Sequence, residues 1–230
     1  MTAGAALITA IAFFSRIPMP AGAGHVALPN AVQMAPLAGA IIALPSAFIL
    51  LVAAWAGASP LLAGALAVVA LLIVTGALHE DGLGDCCDGF WGGSSPDRRL
   101  EIMRDSRLGA FGMLALISAV LVKAAVLQTA VQSGVLTPPA RSDGLAVSVG
   151  RPTVSTFRKA LIVGLILTAL LVVWWAPLGF IVAGIAAAAT AKFTATLAEA
   201  KIGGHTGDVI GATIVLADLA YLLVLTLWTV

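Results

Sequence analysis

Long apolar runs broken by short polar stretches dominate this chain, and the runs are longer than the core of a soluble domain requires. Residues 36–58 are 23 residues without a charge, enough to cross a bilayer as a helix, and Pro45 inside them predicts a kink. Ser59-Pro60 reads as a turn, after which residues 61–78 return across the membrane. Residues 112–131 form a further span with Lys123 near its middle. Residues 160–175 and 177–197 predict a hairpin of spans broken at Ala176-Pro177, with Trp174 and Trp175 at the outer interface. Residues 209–230 are the last span, with Asp218 at mid-depth. Residues 1–14 are apolar but short, which suits an interfacial helix or the start of a tilted span. The Pro- and Gly-rich residues 16–30 form a loop. The pattern predicts an all-α, polytopic integral membrane bundle of about six spans, with a short interfacial helix and cytoplasmic active-site loops, in a single domain covering residues 1–230.

Composition agrees. The chain is 60% hydrophobic and 10% charged with a mean hydropathy of +1.08, whereas soluble domains carry about 25% charged residues. A net charge of +1, with no basic stripe interleaved with aromatics, excludes a nucleic-acid partner. Cys86 and Cys87 are adjacent and fit neither a bridge nor a zinc spacing, so they read as small packing residues.

Against this background residues 79–111 stand apart. They hold 7 of the 11 acidic residues and 4 of the 12 basic ones. Such a cluster at the end of an apolar run is costly unless something charged binds there. Asp81, Asp85 and Asp88 are spaced by four and three, which on a helix lines up three carboxylates on one face. Like charges so placed call for a divalent cation, and oxygen-only ligands favour Mg²⁺ or Mn²⁺. The bland alternative is a solvated acidic loop. Gly82, Gly84 and Gly89 would let a bulky ligand approach. Ser95-Pro96-Asp97 starts a short amphipathic helix at the interface. Arg98, Arg99, Arg104 and Arg107 suit phosphate oxygens or, alternatively, helix-surface ion pairs. Arg99 fits the structural role, and Arg104 and Arg107 fit phosphate contact.

His79 could orient an aspartate or act as a base, and an interfacial histidine without such a role is the alternative. In KIGGHTGD, residues 201–208, Asp208 is placed to be a fourth carboxylate, and Gly203, Gly204 and Gly207 let backbone amides approach an anion. Asp218 at mid-span must pair, with Lys192 or Lys123, and reads as structural. The ensemble points to phosphoryl- or nucleotidyl-type transfer with metal help.

Sidedness carries a contradiction. The basic residues of 132–159, Arg141 among them, place that stretch in the cytoplasm together with Arg16 and the site segment. Only one span, residues 112–131, separates the two, and one crossing would put them on opposite faces, so either that segment re-enters without crossing or a neighbouring helix is missing from this chain.

HEDGLGDCCDG and RRLEIMRDSRLGAFG, residues 79–89 and 98–112, resemble the H-x-D-G-L-x-D-x-x-D-G and R-x-x-E-I-M-[RK]-D-S-R-x-G signatures of the cobalamin synthase family, the adenosylcobinamide-GDP ribazoletransferases. FFSRIPMP (13–20), PPARSDGL (138–145) and GGHTGDVIGA (203–212) agree in the same order. The resemblance implies a Mg²⁺-dependent transferase of the bacterial inner membrane with its site facing the cytoplasm, and leaves association into oligomers open. It would join adenosylcobinamide-GDP to α-ribazole or its 5′-phosphate and release GMP. Asp81, Asp85 and Asp88 would hold Mg²⁺ on the diphosphate, with Asp208 and His79 completing the catalytic set. Arg98, Arg104, Asp105, Arg107, Arg141, Gly204 and Thr206 would form the cofactor- and substrate-binding set. Two departures accompany it. Glu80 replaces an apolar residue and is expected to be tolerated at the surface. One further apolar helix, carried by the family before PPARSDGL, has no counterpart here, since only residues 132–137 intervene. That helix would resolve the sidedness contradiction. The alternatives are a CDP-alcohol-type phosphotransferase, whose D-G-x-x-A-R element is not matched after Gly82, and an ion-coupled transporter built on Asp218 and Lys123.

Overall fold

The computed structural model describes residues 2–20, 26–132 and 177–229. These residues form helices and turns and contain no strand. In chain order the helices are α1 (Ala3–Phe14), α2 (Leu28–Ala31) running through a 3₁₀ turn (Val32–Met34) into α3 (Ala35–Trp55), α4 (Pro60–Thr75), α5 (Leu78–Gly92), α6 (Pro96–Met103), α7 (Ala110–Gln132), α8 (Pro177–Ile202) and α9 (Gly207–Thr229). The all-α membrane architecture expected from the apolar runs is present. Four segments among the described residues are long and apolar enough to cross a membrane: Leu28–Trp55, Ala110–Thr129, Leu178–Ile202 and Gly207–Trp228. The bent pair α4 and α5 adds a fifth if counted as one span. The expected span at 160–175, the basic stretch at 133–159 and its Arg141 lie outside the described residues.

Packing fixes the direction of each helix. Arg16 N–H donates to the Val74 carbonyl at 2.7 Å, and Phe14 packs on His79, so the end of α1 meets the end of α4. At the other end of α4, Gly64 packs on the backbone of Ala124 and Gln128 in the second half of α7. Gly179, at the start of α8, packs on Trp228 at the end of α9. One end of the bundle therefore collects Arg16, α5, α6, the start of α7 and the 203–206 turn. The other collects residues 56–59, the ends of α7 and α9, and the start of α8. The sequence leaves open whether residues 112–131 cross or re-enter; in the structure α7 leads away from the site and stops at the end where α8 begins.

The span expected over 61–78 ends earlier. Gly76 (φ 65°) and Ala77 (φ 55°) are both left-handed, and the chain turns by 91° between α4 and α5. Gly76 tolerates this backbone at no steric cost, while Ala77 holds it against a cost of roughly 1–2 kcal/mol. The Arg16 side chain lies where a Cβ on Gly76 would be. The turn lays α5 across the end of the bundle, so the acidic segment is neither a solvated loop nor a continuation of the span.

One face of α5 is apolar. Leu83, Cys86 and Phe90 pack with Met103, Ala119, Ala198, Val209 and Val215 in the largest core cluster. Cys86 and Cys87 are free thiols, both pushed up by burial, which bears out their reading as packing residues. The crossing of α5 with α9 is very close: a Cβ on Gly82 would lie 2.7 Å from the Asp208 carbonyl oxygen and 2.9 Å from its Cα. Backbone cannot yield as a side-chain tip can. Gly82→Ala is expected to destabilise the protein by about 1–3 kcal/mol, read as a lower thermal midpoint in detergent, with activity lost even in the folded fraction because Asp208 is pushed off α5.

Deep in the bundle Lys123 on α7 and Asp218 on α9 form an ion pair at 2.8 Å, with side chains 6% and 9% exposed. This is the pairing expected for Asp218. The pair borders a cavity of ≈ 40 Å³ among α3, α4, α7 and α9, whose other walls include Ala47, Leu50, Ala67 and Leu127. Beside it α3 continues through Pro45, and Ser46 Oγ donates to the Ala67 carbonyl of α4 at 2.7 Å.

Candidate active site

The carboxylates of the site come from two helices. Asp81 and Asp85 lie one helical turn apart on α5, about 6 Å along its axis. Asp208 sits in the first turn of α9, brought against them by the Gly82 crossing. Thr206 orients it: its hydroxyl donates to Asp208 Oδ2 at 3.2 Å and accepts from Val209 N–H at 3.3 Å, capping α9. Asp81 is exposed, and Asp85 and Asp208 are half-buried.

Electrostatics show that these carboxylates share one field. Burial first, and then Asp81, Asp208 and Asp88 in that order, push the Asp85 carboxyl up from 3.8 to about 6. A raised value means that the folded protein holds this proton more tightly than the unfolded chain does. Ionised Asp85 therefore costs stability between 3.8 and about 6, and the full cost is present above that window. Asp85→Asn is accordingly expected to stabilise the metal-free protein by about 1 kcal/mol at pH 7.5, a figure reduced for partial solvent exposure. The gain should vanish by pH 4. Thermal unfolding in detergent with a chelator at the two pH values checks this.

Asp88 faces elsewhere. It is 8% exposed, and its Oδ2 accepts from Gly109 N–H at 2.6 Å while Oδ1 accepts from Gly112 N–H at 2.9 Å. About 10 Å along the helix axis separates it from Asp81.

The arginines form the rim. Ser95 caps α6 through Arg98 N–H at 3.3 Å and Pro96 occupies its first turn, as the sequence predicts. Arg98 pairs with Glu101 at 2.6 Å, both exposed, a contact worth little in stability. Arg99 is structural, as expected, but its partner is a helix end: Nη1 donates to the Lys201 carbonyl at 2.7 Å, the last turn of α8. Arg104 is exposed. Arg107, 87% exposed at its side chain, grips Asp105 through Nε and Nη2, which holds the Asp105 carboxyl down at about 2.

His79 lies at the start of α5, its carbonyl facing Gly211 of α9 and its ring 5.9 Å from Phe14. Gly204 is half-buried and open around its Cα. The structure thus brings together Asp81, Asp85, Asp208 and Thr206, with His79 at the same helix crossing. It sets Arg98, Arg104, Asp105 and Arg107 along α6 and the 104–109 loop. Lys201 escaped the sequence reading. Its ammonium donates to the Phe90 carbonyl at 3.4 Å and sits 5.7 Å over the Trp91 ring, tying α8 to the end of α5. A lysine in the last turn before Gly203 was the available signal. The expectation for Glu80 is corrected: it is half-buried, and its Oε2 is buried without a hydrogen-bond partner.

Among the described residues, no three His, Cys, Asp or Glu side chains are arranged to hold a metal ion by themselves. The donor set still suits Mg²⁺, which is commonly held by one or two carboxylates together with substrate phosphates. A cation there would offset both the burial of Asp85 and the repulsion it feels from Asp81 and Asp208.

Comparison with known sequences places this arrangement. Residues 6–226 match the family described as Cobalamin-5-phosphate synthase. The chain belongs to this family. It is 40% identical to the adenosylcobinamide-GDP ribazoletransferase of Azorhizobium caulinodans, over 93% of this chain and 92% of the relative. It is 37% identical to the protein of that name from Rhizobium etli, over 93% of each chain. The Brucella anthropi protein of the same name is 40% identical over 94% of each chain. No solved structure matches. The alignments run over 243 to 247 positions, more than the 230 residues of this chain, so the relatives carry stretches without a counterpart here. That agrees with the expectation that this chain lacks a segment of the family.

Proposed function

We propose that this protein joins adenosylcobinamide-GDP to α-ribazole, or to its 5′-phosphate, with release of GMP. Membership of the family and the names of the relatives support the substrates. The observation that carries the chemistry is the meeting of Asp81 and Asp85 with Asp208, two distant parts of the sequence, at the polar end of an apolar bundle beside an arginine-bearing rim.

In this reading a ribose hydroxyl of α-ribazole forms a bond to the cobinamide-proximal phosphorus. The bond from that phosphorus to the oxygen leading to GMP breaks, GMP leaves with the electron pair, and the hydroxyl proton is lost to solvent. Asp81 and Asp85 would hold Mg²⁺ together with the substrate's diphosphate, and Asp208 would add a ligand or orient the nucleophile. Bound there, the ion would supply positive charge to offset that of the diphosphate and the leaving group. Asp208 is held in place for its role by Thr206. Arg104 and Arg107 are the donors for the transferring phosphate, and both are exposed to receive it.

The site faces the cytoplasm of a bacterial inner membrane. Arg16, Arg98, Arg99, Arg104, Arg107 and Lys201 all lie at the site end, whereas the Ala56–Ser59 turn at the opposite end carries no charge. The transporter alternative is not favoured, because Asp218 is paired with Lys123 and buried rather than lining an open path.

The test uses the purified, detergent-solubilised full chain with adenosylcobinamide-GDP, α-ribazole and Mg²⁺. Equimolar GMP and a product joined through a phosphodiester are expected, both abolished by chelator. Release of no GMP from folded protein would overturn the reading.

A further inference from the structure

We propose that Asp88 is a positioning residue of this transferase and not a metal ligand: it fastens the arginine-bearing loop of residues 104–109 to the helix that carries Asp81 and Asp85. The catalytic half of this statement rests on the transfer reaction proposed above. The structural half rests on geometry alone.

The start of a helix leaves backbone N–H groups without partners inside the helix. At the start of α7 the Asp88 carboxylate takes up two N–H groups from a neighbouring helix, one with each oxygen, at 2.6 Å from Gly109 and 2.9 Å from Gly112. The fit is tight. A Cβ on Gly109 would lie 2.8 Å from the Asp88 Cγ, and one on Gly112 would meet Asp88 Oδ2 and lie 2.8 Å from the Gly84 carbonyl oxygen. Asp88 is 8% exposed, and each of its carboxylate oxygens is already engaged by a backbone N–H.

The same turn of α5 holds the other end of the loop. A Cβ on Gly89 would lie 2.5 Å from Met103 Cγ and 3.0 Å from the Arg99 carbonyl oxygen, so α6 is seated directly on it. Asp88 and Gly89 are consecutive. The loop that carries Arg104 and Arg107 therefore leaves α5 at Gly89 and returns to it at Asp88. Between these anchors it is ordered by its own contacts: Asp105 N–H to the Ile102 carbonyl at 3.0 Å, and Arg107 N–H to Asp105 Oδ1 at 3.1 Å. Release of Asp88 frees the returning end while Asp85 and Asp81, about one and two turns away, keep their helix. Charged donors misplaced by about 1 Å lose much of their effect on a transition state.

Three readouts on the full chain in detergent test this. Hydrogen exchange of a peptide spanning residues 104–112 is expected to be at least tenfold faster in Asp88→Ala than in the parent. Mn²⁺ alone, followed by its electron paramagnetic resonance signal, is expected to bind Asp88→Ala and Asp88→Asn within twofold of the parent, and Asp81→Asn at least tenfold more weakly. In turnover, kcat is expected to fall at least thirtyfold in Asp88→Ala with the half-saturating Mg²⁺ concentration unchanged. Asp88→Asn, which retains one acceptor oxygen, should recover part of that loss, and it carries the same readouts if the alanine variant does not fold. Unchanged exchange over 104–112, or Mn²⁺ binding in Asp88→Asn weakened as much as in Asp81→Asn, would overturn the proposal. A parent that releases no GMP would instead remove the transfer reading, while exchange and Mn²⁺ binding still decide what Asp88 does.

Discussion

Asp85→Asn is expected to abolish turnover, with kcat lowered by at least about a thousandfold, while the protein inserts into the membrane and folds as the parent does. Asp85 shares the field of Asp81 and Asp208, and burial first and then these neighbours push its carboxyl up to about 6. Neutralising it removes the charge that a cation on the diphosphate would meet. It leaves the packing of α5 intact, because the buried face of that helix is Leu83, Cys86 and Phe90. The measurement is GMP release beside a thermal unfolding curve. Near-normal activity in a well-folded Asp85→Asn protein would remove the metal-binding role from this residue. A large loss accompanied by a lower melting temperature would assign the effect to folding, against the expectation that the metal-free variant is slightly the more stable of the two.

The second large effect concerns stability. Lys123→Met or Asp218→Asn alone is expected to destabilise the bundle by about 3–5 kcal/mol, because each leaves the partner charged group buried without its counter-ion. The pair lies at 2.8 Å between α7 and α9, both side chains largely shielded, beside a cavity with almost entirely apolar walls. The double variant Lys123→Met with Asp218→Leu should return to within about 1–2 kcal/mol of the parent, since replacing both members of a buried pair by apolar groups is often near neutral. Thermal midpoints in detergent for the two single variants and the double variant form the cycle. If the pair is structural, the double variant also releases GMP at close to the parental rate. Loss of activity in a stable double variant would show that the charges do more than hold α7 against α9.

Much of the architecture was legible in the sequence because a bilayer imposes a length and a composition on whatever crosses it. The apolar runs predicted α3, α7, α8 and α9 with modest errors at their ends. The start of α6 was legible because Ser95, Pro96 and Asp97 each suit a helix start for a local reason. Asp218 required a buried cation, and of its two candidates Lys123 is the one that reaches it, at 2.8 Å. The turn at Gly76 and Ala77 was not legible. Nothing local marks Ala77 as left-handed, and it is held there by the surrounding packing, with Arg16 lying over Gly76. Without that turn the sequence places the carboxylates beyond the end of a span but does not say in which direction their helix runs.

The amino-acid sequence by itself determined that this is a helical membrane protein most of whose carboxylates lie in residues 79–111 and 201–208. Charge is too costly inside a bilayer to lie anywhere without a reason, so its positions are informative one residue at a time. Only the tertiary structure decided which carboxylates lie together. Spacing by four and three puts Asp81, Asp85 and Asp88 on one face of α5, but a face has length. The approach of α9 at Gly82 brings Asp208 into the cluster, while the backbone N–H groups at the start of α7 draw Asp88 out of it. Both selections are made by helices distant in sequence, through backbone contacts that no local pattern encodes.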